Sequence, residues 1–130
     1  MKYYIGIDLG GTNVRTLLVD ENGKTYSEVK DNTERDNGPD YVCAKIIKQI
    51  ENLDTSVCGG LKGVSGIGIG EPGPVDTVKG TMIMATNLPG FENYPICDKL
   101  SEHFNLPVFI DNDANVALSL IHISEPTRQA

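Results

Sequence analysis

The chain has no tryptophan, only three cysteines among its 130 residues, and no long run of apolar residues. A helix that crosses a bilayer needs roughly 18 apolar residues in succession, so we expect no membrane-spanning segment and no membrane partner. The amino terminus also lacks the apolar stretch of a signal peptide, because Lys2 is followed directly by a predicted strand. The sequence therefore predicts a cytoplasmic protein.

Basic residues are scarce as well. The chain has 11 Lys and Arg against 18 Asp and Glu, which gives a net charge of −7. Proteins that bind nucleic acids present clustered Lys and Arg to the phosphate backbone, and no such cluster occurs here, so we predict no nucleic-acid partner. A nucleotide is not excluded by this charge, since one glycine-rich corner with Mg²⁺ can hold ATP locally.

The cysteines Cys43, Cys58 and Cys97 are odd in number and far apart in sequence. They form no CxxC pair and have no histidine at the spacing of a metal ligand. We interpret them as reduced, partly buried thiols and predict no disulfide.

The most informative segment covers residues 5–20, where two apolar runs of strand type flank a Gly10-Gly11-Thr12 corner. Glycine takes positive φ without a steric penalty, so this backbone could turn its N–H groups toward a polyanion. Asp8, just before the corner, would suit a hydrated Mg²⁺ standing between the carboxylate and a phosphate. The alternative is an ordinary hairpin turn in which Asp8 caps the loop.

The apolar period along the chain alternates between that of strands and that of helices, which is typical of an α/β domain. It predicts a three-stranded meander over residues 3–9, 13–20 and 24–30. Further strands are predicted over residues 63–70, 81–85 and 106–110, and two helices are predicted to end near Leu53 and Phe104. Helices are expected after Asn37-Gly-Pro-Asp40, with a solvated outer face at Lys45, Lys48 and Glu51, and over residues 93–104.

The stretch from residue 71 to residue 76 must be a loop, because Pro72 and Pro74 suit neither a helix nor a central strand. Residues 68–73 satisfy the GxGxxG dinucleotide fingerprint only formally, since that motif needs a helix that opens at its third glycine. After the last predicted strand, Asp111-Asn-Asp-Ala-Asn115 occupies a carboxyl strand end, where open α/β sheets bind ligands. Taken alone, Asp113 could equally be a helix N-cap.

Four short motifs follow one another along the chain: Asp8-Leu-Gly-Gly-Thr-Asn13, Gly70-Glu-Pro-Gly-Pro-Val-Asp76, Thr86-Asn-Leu-Pro-Gly90 and Asn112-Asp-Ala-Asn115. Their order and spacing resemble the ROK family of bacterial sugar kinases and repressors, over residues 3 to about 117. The resemblance implies an α/β fold of the actin-like, ribonuclease-H-like type, with a mixed sheet, an antiparallel three-strand meander and flanking helices. In that fold two domains close on ATP and a sugar, and this chain would supply the first.

The resemblance also implies roles for individual residues. Asp113 would be the catalytic base, because a kinase that phosphorylates a hydroxyl needs a carboxylate near that proton. Asn112 would bind neighbouring sugar hydroxyls through its amide. The other sugar-binding positions would be Gly73, Thr86 and Asn87. The ATP phosphates would meet Asp8, Gly10, Gly11, Thr12 and Asn13, with Asp8 holding Mg²⁺ through water.

The activity that the resemblance implies is ATP-dependent phosphorylation of a hexose, most often glucose, by a full-length protein that we expect to be a homo-oligomer. A sugar-responsive repressor is the second possibility, although family repressors carry a winged-helix domain before the phosphate corner, and here the corner begins almost at Met1. An ATPase of the actin or Hsp70 type is the third, and it leaves the proline-rich and Asn-Asp loops without a purpose.

Two features depart from the family pattern. Glu71 stands where the family more often has a small or apolar residue. Residues 118–130 lack the expected Ala-, Gly- and Glu-rich helix, and Pro126 would stop one, so we interpret residues 1–117 as the family domain and the rest as an atypical tail. His122 in this tail is not interpreted as a ligand. The second phosphate loop and a structural zinc site would lie beyond this chain, which we therefore expect to be inactive or nearly so.

Overall fold

The computed structural model describes residues 1–71, 73–83 and 87–111. They form seven strands and two α-helices: β1 Tyr3–Leu9, β2 Asn13–Asp20, β3 Thr25–Asn32, α1 Pro39–Asn52, β4 Val64–Gly70, β5 Val75–Asp76, β6 Thr81–Met82, α2 Ile96–Phe104 and β7 Val108–Asp111. The prediction that residues 71–76 form only a loop is wrong at Val75 and Asp76, which pair with Met82 and Thr81 as β5. The predicted order of strands and helices is otherwise confirmed, with most boundaries within three residues. No helix in the described ranges is long and apolar enough to cross a membrane.

The main sheet has five strands in the order β3-β2-β1-β4-β7, and β5 pairs with β6 in a separate two-stranded sheet. Strands β1, β2 and β3 form the predicted antiparallel meander. Strands β1, β4 and β7 run parallel, with Asp8 opposite Gly70 and Gly70 opposite Asp111. These three strands therefore end at one edge of the sheet, which we call the carboxyl edge.

The core forms where the period-two pattern of the strands meets the helical pattern of α1. In β1, Ile7 and Leu9 are fully buried whereas Asp8 between them is exposed, because successive strand residues point to opposite faces. In α1, Ile46 and Ile50 are fully buried at helical spacing. Gln49 also lies in the interior, and it fastens α1 to β2 by accepting a hydrogen bond from the Thr16 hydroxyl at 2.8 Å.

The outer face of α1 is not merely solvated, as the sequence had suggested. The Lys45 side chain is only 12% exposed, forms ion pairs with Glu34 and with Asp31 (3.5 Å), and donates a hydrogen bond to the Asn32 carbonyl at 2.6 Å. The reason is the length of β3, which continues to Asn32 and brings acidic and carbonyl groups under the helix. The expectation for Lys45 was therefore wrong.

The three cysteines are free thiols, as predicted. Cys43 and Cys97 are buried, and Cys58 is partly buried. Burial raises the pKa of Cys43, and it raises the pKa of Cys97 to about 12, with the nearby Asp98 charge acting in the same direction. Burial therefore favours the neutral thiol over the reactive thiolate at both positions.

Candidate functional site

Residues 10–13, which we call the glycine corner, connect β1 to β2 at the carboxyl edge. The turn is closed by a hydrogen bond from the Gly10 N–H to the Asn13 carbonyl at 3.0 Å. Neither Gly10 nor Gly11 takes a positive φ, so the left-handed conformation considered from the sequence is wrong. Leu9 and Val14 are the last paired residues of β1 and β2, so four residues connect them. A connection of this length can close around a turn whose φ angles are negative.

Position 11 requires glycine because the neighbouring residues leave no room for a Cβ atom. A Cβ atom on Gly11 would lie 2.7 Å from the Asn87 Cβ, 2.9 Å from the Asn87 carbonyl oxygen and 2.9 Å from Arg35 Nη1. Real Cβ atoms essentially never come within 3.0 Å of such neighbours. The missing side chain lets Asn87, a predicted sugar-binding residue, pack directly on the predicted phosphate corner although the two lie far apart in sequence.

Thr33 fastens the segment after β3 to this corner. Its N–H donates to the Thr12 carbonyl at 2.8 Å, and its hydroxyl donates to the Gly10 carbonyl at 2.7 Å. The side chain is completely buried. Sequence reasoning missed both Thr33 and Arg35, because their contacts with the glycine corner join parts of the chain that are distant in sequence. A threonine followed closely by an arginine after a strand is the only local signal that could have drawn attention to them.

The side chains at the open side of the corner are polar and accessible. Thr12 and Asn13 are exposed, and the exposed Asp8 lies opposite Arg15 in the β1-β2 register. No group of three or more His, Cys, Asp or Glu residues in the described ranges could hold a metal ion. Mg²⁺ in nucleotide sites commonly uses one or two carboxylates together with phosphate oxygens and water. Asp8 fits that role, in which the nucleotide brings most of the ligands.

Glu71, the first residue after β4, holds a second loop at the same edge. Its Oε2 accepts a hydrogen bond from the Gly73 N–H at 2.9 Å, and its own N–H donates to the Asp111 carbonyl at 3.2 Å. The residue is 5% exposed, and Oε1 is buried with no hydrogen-bond partner among the described residues. Burial raises the pKa of the Glu71 carboxyl above its ordinary value of 4.5, and the Gly73 hydrogen bond acts in the opposite direction.

The structure thus brings part of the predicted site together. Gly10, Gly11, Thr12 and Asn13 form one turn with Asp8 beside it, and Asn87 contacts that turn. Gly73 lies in the Glu71 loop, which is joined to the end of β7 by the Glu71–Asp111 backbone hydrogen bond. Thr86, Asn112 and Asp113 fall outside the described residues, as do His122 and the whole segment 118–130. Their roles stay predictions.

The profile of the ROK family matches residues 4–125 of this chain. A glucokinase from Halalkalibacterium halodurans is 33% identical over 119 residues, which cover 89% of this chain and 35% of that protein. A xylose repressor from Caldicellulosiruptor bescii is 34% identical over 111 residues, which cover 85% and 28% respectively.

Among solved structures, a ROK family glucokinase from Streptomyces griseus in complex with glucose and AMPPNP aligns with a TM-score of 0.71 at 31% identity, over 87% of this chain and 34% of that one. The predicted fold is confirmed by this likeness: a mixed sheet with flanking helices, as in the actin-like ROK kinases. The chain spans about a third of the length of the curated relatives that it matches.

Proposed function

The chain belongs to the ROK family, and we propose from this that it forms the amino-terminal part of an enzyme that phosphorylates a hexose with ATP. The observation that carries the proposal is the contact between Gly11 and Asn87. It joins a turn suited to phosphate with a polar loop suited to sugar hydroxyls, at the edge where β1, β4 and β7 end. Glucose is the hexose that we propose first, because the glucokinases among the relatives are named for it.

The proposed chemistry assigns one task to each group of residues. The glycine corner would bind the phosphates of ATP, and Mg²⁺ held near Asp8 through water would neutralise their charge. Asn87, with Gly73, Thr86 and Asn112, would position the sugar. Asp113, two residues after the end of β7 in the sequence, would take the proton from the attacking hydroxyl. Positioning and charge stabilisation supply most of the catalysis in phosphoryl transfer, which is consistent with a site made largely of turns.

A sugar-responsive repressor is the second candidate, because a xylose repressor is as similar to this chain as the glucokinase is. Such a protein would use the same edge of the sheet to bind a sugar without transferring phosphate. The net charge of −7 and the absence of a Lys and Arg cluster from the sequence favour the kinase over a protein that binds DNA through this chain.

The test is a coupled ADP-release assay on a full-length protein that contains this chain, with ATP, Mg²⁺ and a panel of hexoses. We expect turnover with glucose, and we expect Asp113→Asn to lower kcat by roughly 10²- to 10⁴-fold while glucose still binds, since that is the usual contribution of a general base. Asp98→Asn, at an exposed position of α2 outside the four motifs, is the matched control and should keep activity close to wild type. Sugar binding without ADP release by the wild-type protein would favour the repressor instead.

We further propose that the 130-residue chain alone is inactive or nearly so, because the kinases that it resembles are about three times as long as this chain. Residues 118–130 would be an atypical tail on a domain of residues 1–117. The full-length protein would be a homo-oligomer that carries its structural zinc outside this chain. The same ADP-release assay on the 130-residue chain checks the first point, and turnover comparable to that of the full-length protein would contradict it.

A further inference from the structure

Arg35 lies against the glycine corner although no motif pointed to it. It opens a short 3₁₀ helix, Arg35–Asn37, directly after β3. Its Nη1 atom would lie 2.9 Å from a Cβ placed on Gly11, on the same side as Asn87. Arg35 is exposed, and within the described part of the chain its guanidinium forms no ion pair and no hydrogen bond.

The backbone that presents Arg35 is held from two sides. Thr33 is fixed to the corner by its hydrogen bonds to the Gly10 and Thr12 carbonyls. Glu34 adopts the left-handed conformation, with φ 56° and ψ 48°, which costs energy for a residue with a long side chain. Its carboxylate accepts hydrogen bonds from the Tyr41 hydroxyl at 3.0 Å and from Lys45 of α1. These contacts keep the sharp turn at residue 34 that carries the chain to Arg35.

Two other basic side chains near this region, Lys45 and Arg15, are already paired. Lys45 is engaged with Glu34 and Asp31, and Arg15 forms an ion pair with Glu28 at 3.4 Å. Arg35 is thus a cation that the described residues leave available directly beside Gly11. A guanidinium offers five N–H donors in a planar fork that matches the oxygens of a phosphoryl group.

We propose that Arg35 binds the terminal phosphoryl group of the nucleotide at the glycine corner. This inference rests on the proposed kinase function and adds a residue that the sequence motifs do not contain. Negative charge on the transferring phosphoryl group is spread over its equatorial oxygens, and a fixed cation next to them stabilises the transfer. Because Thr33 and Glu34 set the backbone in advance, the arginine needs little reordering when the nucleotide binds.

The test compares two nucleotides that differ in the terminal phosphoryl group. Affinities of AMPPNP and ADP are measured with Mg²⁺ on the full-length protein as wild type, Arg35→Ala, Arg35→Lys and Lys62→Ala. Lys62 is an exposed residue just before β4, at the opposite end of that strand from the carboxyl edge, and it controls for the loss of one positive charge. We expect Arg35→Ala to weaken AMPPNP binding roughly 10- to 100-fold and to change ADP binding much less.

Arg35→Lys should recover only part of the AMPPNP affinity, because lysine lacks the planar fork, and Lys62→Ala should leave both affinities unchanged. Equal losses for AMPPNP and ADP, or no loss at all, would overturn the inference. A thermal melt shows that each variant is folded, and Arg35→Lys carries the test if Arg35→Ala is unstable. Failure of the wild-type protein to phosphorylate any hexose would instead contradict the proposed function, since the nucleotide comparison needs no turnover.

Discussion

The glycine corner and the segment that begins at Glu71 and includes β5 and β6, which we call the Glu71 loop, are stabilised differently. At the corner, the carbonyls of Gly10 and Thr12 receive hydrogen bonds from Thr33, and the turn closes on itself. In the Glu71 loop, Glu71 Oε1 and Thr81 Oγ1 are buried with no hydrogen-bond partner among the described residues. A buried polar atom without a partner costs about 1–3 kcal/mol. The chain therefore fixes the corner by its own contacts, whereas the loop keeps an energetic penalty.

Two glutamates show the same contrast. Hydrogen bonds from Lys45 and Tyr41 of α1 lower the pKa of Glu34, the residue after Thr33, since they stabilise its charged form. Burial raises the pKa of Glu71 in the loop, because a carboxylate is poorly solvated there. Contacts with α1 therefore favour a charged carboxylate at Glu34, whereas burial after β4 opposes one at Glu71.

The largest effect is expected from Gly11→Ala. Its Cβ would overlap the Asn87 Cβ and carbonyl oxygen, which cannot both move without displacing that segment. We expect a loss of about 1–3 kcal/mol in the free energy of unfolding, the usual cost of overpacking, measured by equilibrium urea denaturation. Gly10→Ala is the matched control: its Cβ would meet only the Asn13 carbonyl, at 3.1 Å, so a smaller loss is expected. Equal losses would show that Asn87 is not held against the corner.

Thr33→Val should have an intermediate effect. Valine keeps the shape of the side chain but removes the hydroxyl that donates to the Gly10 carbonyl. We expect the protein to lose about 1 kcal/mol of stability and amide hydrogen exchange to accelerate at Gly10. Thr25→Val, at an exposed position of β3, should change stability by less than about 0.5 kcal/mol. Similar results for the two variants would mean that the corner does not depend on this bond.

The sequence predicted the strands well because each depends on a local pattern. The apolar run of β1, which the structure buries from Tyr4 to Ile7, is visible without knowing what lies next to it. The same holds for Ile46 and Ile50 of α1, which repeat at helical spacing. The glycine corner was located in this way too, since its two glycines stand between apolar runs.

The reason for Gly11 could not be predicted, because it depends on contacts with Asn87 and Arg35, which are distant in sequence. Lys45 was misjudged for a related cause: its partners become neighbours only when β3 packs beside α1. Glu71 was noticed as a departure from the family, yet its burial follows from the β4-β7 pairing rather than from its own segment. Patterns within one segment were therefore predictable, and contacts between segments were not.

The two glutamates should also give opposite dependences of stability on pH, and these are the smallest effects that we expect. A raised pKa in the folded state means that Glu71 stabilises the fold below its unfolded pKa of about 4.5 and loses this contribution as the pH rises through the folded pKa. A lowered pKa means that Glu34 stabilises the fold above pH 4.5 and loses this contribution as the pH falls through the folded pKa. Because Glu34 is exposed, its effect should be the weaker of the two.

Urea denaturation from roughly pH 2 to pH 8, a range that extends to both sides of the ordinary pKa of a glutamate, separates the two contributions when Glu71→Gln and Glu34→Gln are compared with wild type. Glutamine at position 71 keeps an oxygen that accepts from the Gly73 N–H but cannot ionise, so it should remove the decline in stability that Glu71 causes toward neutral pH. Glu34→Gln should keep that decline. Carboxyl ¹³C titration should place the Glu71 midpoint above that of Glu34, and coincident midpoints would remove the contrast between the two glutamates.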